Sequence, residues 1–282
     1  MIGTRDGFQW ARSIIYTVKA NMSRSLLSIL LIVGAASIGR AQQDTSANPR
    51  AVQPERPTVA THAGTVAPGY LELEEGGEWD RWSDNARSFF APTNLKIGLA
   101  SHAQLNLLVN VIHDPRLAGS NVSVGDLTVG VKYRILDHHP ILGDFAILPA
   151  VKFPTASGDA GTGTTDLSLL FISSHRLGPV AMDLNAGATR RSGDGTAAPT
   201  TATIWTASFG FPLRGALGAA AELFGYPGTS GIAGSEATAA LLLGPTFLVR
   251  DWLAIDAGFI TPLTGPQPHA VYAGFVWNWG RL

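Results

Sequence analysis

The chain has 282 residues, a formal net charge of −1 and no cysteine. Near-neutral charge without a basic stripe argues against a nucleic-acid partner, and the missing thiols remove disulfide frameworks, thiol catalysis and cysteine zinc sites. Only 15% of residues are charged, against roughly a quarter in soluble domains, yet no apolar run reaches the roughly 18 residues of a membrane helix.

Residues 1–21 precede a plausible start at Met22 and are left out of the fold argument. Met22-Ser23-Arg24 and the apolar run Leu26–Val33 read as a signal peptide, with small residues at Gly39 and Ala41 placing cleavage before Gln42. A buried helix or an N-terminal anchor is the alternative. On this reading residues 1–41 are the targeting segment. Residues 42–68, with Pro49, Pro54, Pro57 and Pro68, show no periodicity and read as a disordered periplasmic linker. The sequence leaves open whether that linker folds back.

From residue 69 to 282 the pattern changes to segments of about ten residues with period-two alternation, the length of a tilted membrane strand. Candidate strands are 70–78, 88–99, 102–112, 124–136, 143–155, 164–175, 179–191, 202–212, 214–226, 235–248, 252–261 and a terminal one. The clearest sets Leu127, Val129, Val131, Tyr133 and Ile135 against Asp126, Thr128, Gly130, Lys132 and Arg134. In the terminal strand Val271, Ala273, Phe275, Trp277 and Trp279 oppose Tyr272, Gly274, Val276 and Asn278. An apolar, aromatic-ended outer face needs lipid against it.

Connections sort by parity. Tight turns follow the even-numbered candidates and longer polar loops follow the odd-numbered ones, as in an outer-membrane barrel with both termini in the periplasm. In hydrocarbon every backbone polar group needs an internal partner, so the sheet must close on itself. The expected fold is all-β: a transmembrane antiparallel barrel of about 12 strands. Two aromatic girdles should follow, one of Tyr133, Phe145, Phe209, Phe211, Phe247, Trp252 and Trp279 and the other of Phe89, Phe153 and Phe259.

Three stretches carry a family resemblance: Gly125–Tyr133, Leu148–Gly158 with its Lys152-Phe153-Pro154-Thr155, and Asp183–Gly187. The chain resembles the outer-membrane family associated with the phenol meta-pathway, often called simply a transporter family. That resemblance implies passage of small hydrophobic or aromatic molecules. Tyr272, Gly274, Trp277 and Trp279 also resemble the C-terminal signal read by the barrel-assembly machinery, which would be a partner alongside outer-membrane lipid.

The lumen-lining candidates are Glu72, Lys96, Asp126, Lys132, Arg134, Lys152, Asp166, Asp183, Glu222, Glu236 and Asp256, because a lipid-facing charge near the midplane costs roughly 2–4 kcal/mol. They would line a polar constriction, or form an ion-pair network that fills a small barrel without conduction. Catalysis is not expected: Ser174 and His175 are adjacent and point to opposite faces, and the remaining histidines are scattered. No metal site or cofactor is expected either. The reading is a passive channel; the alternative is a non-conducting scaffold, adhesin or receptor acting through loops such as 113–123 and 192–201.

Overall fold

The computed structural model describes residues 47–115, 122–157 and 160–282. The expected signal peptide lies outside these residues. The described chain forms twelve long antiparallel strands and one two-residue strand. They are β1 (Tyr70–Arg81), β2 (Arg87–Ala100), β3 (Ala103–His113), the short β4 (Ser123–Val124), β5 (Leu127–His139), β6 (Gly143–Phe153), β7 (Asp166–Leu177), β8 (Val180–Arg191), β9 (Thr201–Arg214), β10 (Leu217–Tyr226), β11 (Thr238–Arg250), β12 (Leu253–Thr264) and β13 (His269–Arg281). Each long strand pairs with the next, β3 with β5, and β1 closes the ring on β13 from Tyr70↔Arg281 to Arg81↔His269. Every expected strand is present, with ends moved by a few residues. A closed ring leaves no edge, which satisfies the backbone in hydrocarbon.

Alternation builds the wall. Along β7, Leu167, Leu169 and Phe171 are exposed while Asp166, Ser168, Leu170, Ile172 and Ser174 are buried. In β13 Val271 and Trp279 face out and Tyr272, Val276 and Asn278 face in. Aromatic rings gather near both rims: Tyr133, Phe211, Phe247 and Trp279 at one, Trp79, Phe89, Phe153 and Phe259 at the other. An arginine at Phe171, mid-strand on the outer face, should lower stability by about 2–4 kcal/mol in urea titration in lipid. An equal loss from Thr206→Ser, a conservative change on the inner face, would contradict the assigned faces.

Turns 101–102, 140–142, 178–179, 215–216 and 251–252 share one rim with both ends of the barrel; loops 82–86, 192–200, 227–237 and 265–268, with the described parts of the connections after β3 and β6, share the other. These are called the turn rim and the loop rim.

The segment read as a linker is a correction. Residues 51–53, 55 and 59–67 are buried, inside the barrel. The segment starts at the turn rim, where Val52 N donates to Asp251 O (2.8 Å) and the Arg50 guanidinium lies 4.8 Å over the Trp252 ring. It leaves by the same rim, where Thr65 Oγ1 donates to Ser101 O (3.1 Å) and Gly69 N to Gly98 O (2.8 Å). A segment without strand periodicity suits this position, because its backbone bonds go to wall side chains rather than to a ladder.

Candidate functional site

The barrel interior is filled from both rims. From the turn rim comes the plug, residues 51–67, whose N–H groups donate to side chains around the wall. Gln53 N donates to Glu72 Oε2 (2.9 Å), Glu55 N to Glu74 Oε1 (2.7 Å), and Val59 N and Ala60 N to the two Glu222 oxygens (2.7 and 2.6 Å). Thr61 N donates to Asn185 Oδ1 (2.8 Å), Ala63 N to Ser174 Oγ (2.8 Å) and Val66 N to Gln104 Oε1 (2.9 Å). Four of these accepting bonds are made by carboxylates, the stronger class of hydrogen bond.

Charges lock the same contacts. Lys96 Nζ lies 2.7 Å from Glu72 and 2.8 Å from Glu74, and donates to Gln53 O (2.5 Å). Lys132 Nζ reaches Glu55 Oε1 (2.5 Å) and His62 O (2.9 Å). Arg56 pairs with Asp256 at 3.1 Å, its guanidinium lying where Gly76 and Gly274 carry no side chain. Gly76, Gly274 and Asp256 form one continuous rung across β1, β13 and β12. A Cβ at either glycine would overlap that guanidinium.

Within the plug, burial works against the Glu55 charge, but Lys132 and Lys96 outweigh it and hold the carboxyl down at about 2. Burial, with Lys132 close by, pushes His62 down to about 3, so its imidazole is neutral. Neither His62 ring nitrogen makes a hydrogen bond of good geometry. His62 lines a cavity of about 640 Å³ that remains between the plug and β8–β12, with Asp183, Ser208, Thr246 and Asp256 on its wall.

At the loop rim a second cluster closes another quadrant. Lys152 pairs with Asp126 (2.7 Å) and Asp166 (3.1 Å) and bonds Thr162; Arg191 lies 3.3 Å from Asp166. Asp126 Oδ1 also accepts from Ala156 N (2.9 Å), which ties Ala156 to the cluster.

The sequence candidates therefore fall into groups. Glu72, Lys96, Lys132, Glu222 and Asp256 hold the plug. Lys152 and Asp166 meet at the loop rim with Asp126, which lies in the loop before β5 rather than on the strand. Asp183 accepts from Ser174 Oγ (2.6 Å) at the edge of the cavity. Arg134 sits at the turn rim, pairing with Asp137 (2.8 Å). Glu236 is a correction: it is exposed in loop 227–237, because the strand begins only at Thr238. Ser174 points inward to the plug, while His175 faces out and meets Ser173 Oγ at 2.8 Å.

Sequence reasoning missed Glu55, Arg56 and His62, which lie in the stretch set aside as linker. Its signal was two charges and a histidine within eight residues (55–62) among small residues. It also missed Glu75. Among the described residues this is the one charged side chain on the outer face near mid-strand, and it accepts from Thr93 Oγ1 (2.5 Å).

A model of the family described as "Putative MetA-pathway of phenol degradation" matches residues 55–276. No curated protein matches the chain in sequence. Among solved structures, the chain is similar to an outer membrane channel from Pseudomonas putida F1, with a TM-score of 0.59 and 12% identity over 77% of this chain and 98% of that one. It is also similar to the KdgM porin, with a TM-score of 0.49 and 9% identity over 73% and 98%. The translocator domain of the autotransporter NalP from Neisseria meningitidis follows at 0.43 and 10%, over 74% and 88%. The first of these likenesses shows the fold of a bacterial outer-membrane β-barrel.

Proposed function

The chain belongs to this MetA-pathway phenol-degradation family, and from that premise we propose that it is an outer-membrane channel for small hydrophobic or aromatic molecules, held shut at rest by its own residues 51–67. The turn rim, with both ends of the barrel, faces the periplasm, and the loop rim faces outward. Parity of the connections supports this orientation. Assembly into the membrane would use the terminal strand, through Tyr272, Gly274, Trp277 and Trp279.

One observation carries the reading. The plug is bound through side chains of the wall, not as a thirteenth long strand. Such a segment can withdraw by exchanging side-chain bonds for water while every ladder of the barrel stays intact. The cavity beside it gives a solute room on the periplasmic side.

A second reading has support of its own. Lys96 between Glu72 and Glu74 is a satisfied buried network, which suits a barrel that never conducts and acts through its loops. Planar-bilayer recording of the refolded full chain separates them. The channel reading expects small, intermittent currents; a membrane silent at all voltages, with the barrel shown to be inserted, favours the scaffold.

A further inference from the structure

One sector of the interior is left unfilled by the plug. The cavity of about 640 Å³ beside β8–β12 reaches the turn rim, since Gly215, Ala216 and Asp251 of the rim turns line it. It exists because inward positions of β9, β10 and β12 are small here: Gly210, Gly218, Ala220 and Ala254. Val52 and Pro54 of the plug and Val276 of β13 add further apolar lining. A volume of this size, mostly apolar and with a few convergent polar groups, is the form of a small-molecule site.

The polar groups come from one rung of the wall and from the plug. Ser174, Asp183 and Ser208 are direct neighbours across β7, β8 and β9. Ser174 Oγ donates to Asp183 Oδ1 (2.6 Å), and among the described residues Oδ2 has no hydrogen-bond partner and no cation pairs with the carboxylate. Ser208 lines the cavity beside it. From the plug, His62 lines the same cavity; it is 4% exposed, and neither ring nitrogen makes a hydrogen bond of good geometry. A buried polar group in that condition calls for a partner. Its imidazole is neutral and offers one acceptor nitrogen.

The charges around the cavity do not cancel. Arg56 is taken by Asp256 at 3.1 Å, Arg250 and Asp251 offset one another at the mouth, and Lys132 is engaged by Glu55. Asp183 is left as the excess negative charge.

We propose that this cavity binds a small organic ammonium, an apolar body of phenylalkyl size carrying one protonated amine. The three N–H donors of the amine meet acceptors at Asp183 Oδ2, Ser208 Oγ and the His62 imidazole, while the body lies against Val52, Pro54 and the small residues of β9 and β10. A carboxylate ligand would meet Asp183 with a like charge. A neutral alcohol brings one donor to three acceptors and leaves the Asp183 charge unmatched. Because His62 belongs to the plug and Asp183 to the wall, the occupant bridges them and favours the docked plug over the withdrawn one. The site belongs to the docked structure and does not depend on conduction; only the bias on the plug rests on the channel reading.

Titration calorimetry of the refolded full chain at neutral pH with 2-phenylethylamine, 2-phenylethanol and phenylacetate reads the site directly. The amine should bind at least about tenfold tighter than the alcohol, the scale of one hydrogen bond to a charged group, and phenylacetate should not bind. Asp183→Asn keeps the shape of the side chain and an acceptor for Ser174, and it should bring the amine down to the level of the alcohol. No amine binding by the unaltered protein, equal affinity for amine and alcohol, or an amine affinity that survives Asp183→Asn overturns the site. Should Asp183→Asn not fold, Ala220→Leu fills the cavity from β10 and should abolish amine binding; unchanged binding there also overturns it. Loss of the site with bilayer currents present leaves the channel standing, and amine binding to a barrel silent at all voltages upholds the site without the channel. In a conducting barrel, saturating amine should lengthen the closed intervals, and intervals unchanged despite binding overturn the bridging.

Discussion

Lys132→Met opens the barrel. Lys132 is fully buried and supplies two bonds to the plug, one to the Glu55 carboxylate and one to His62 O. Methionine keeps the length and apolar stem but removes the ion-pair partner of Glu55, leaving only the more distant Lys96 to offset its charge, and a broken buried pair of this kind destabilises by about 3–5 kcal/mol. The barrel does not bear that loss, since its ladders do not involve Nζ. The docked plug bears it. Bilayer current should therefore rise from intermittent to sustained, while heat-modifiable migration of the folded barrel stays native. Lys152→Met serves as the control: its partners Asp126, Asp166 and Thr162 are at the loop rim and none belongs to the plug. Equal currents from the two variants would mean that Glu55 and Lys132 do not hold the gate.

Acid should act in the same direction. His62 is held at about 3 when docked, against an ordinary value of 6.5. Below the ordinary value a released His62 takes a proton that the docked one cannot accept, so docking weakens as pH falls through this range. The limiting slope is about 1.4 kcal/mol, or tenfold, per pH unit. Glu55 adds to the effect lower down. Its value of about 2 lies below the ordinary 4.5, so its stabilisation is complete above the ordinary value and is lost as pH falls towards the docked one. Open probability should climb as pH drops from about 7 to about 5, driven by His62, and His62→Phe should flatten that climb. A profile unchanged by His62→Phe would remove the histidine from the gate.

The wall was legible because lipid and water impose a period of two on every strand that separates them. β5, β7 and β13 could be read residue by residue, and the parity of turns and loops followed from the same constraint. The plug was not legible, because segment 51–67 buries its backbone against scattered side chains of β1, β2, β3, β5, β7, β8 and β10, and no local period records that. At Asp126 the alternation continues one residue beyond the ladder, so the pattern does not mark where β5 begins. The same holds at Glu236, which precedes its strand and is exposed. Glu75 has the opposite history: it sits on the outer face, where a rule that keeps charges inward passes over it, and the irregularity of β1–β2 pairing that accompanies it lies in the register alone.

The gate itself can be tested by pinning it. Ala63 N lies 2.8 Å from Ser174 Oγ, so Ala63→Cys with Ser174→Cys ties the plug to β7 in an otherwise cysteine-free chain. Single-channel current through this protein, recorded at about pH 5 before and after reductant, should go from silent to gating. Currents of the same size and frequency in both states would show that ions pass without any movement of residues 51–67.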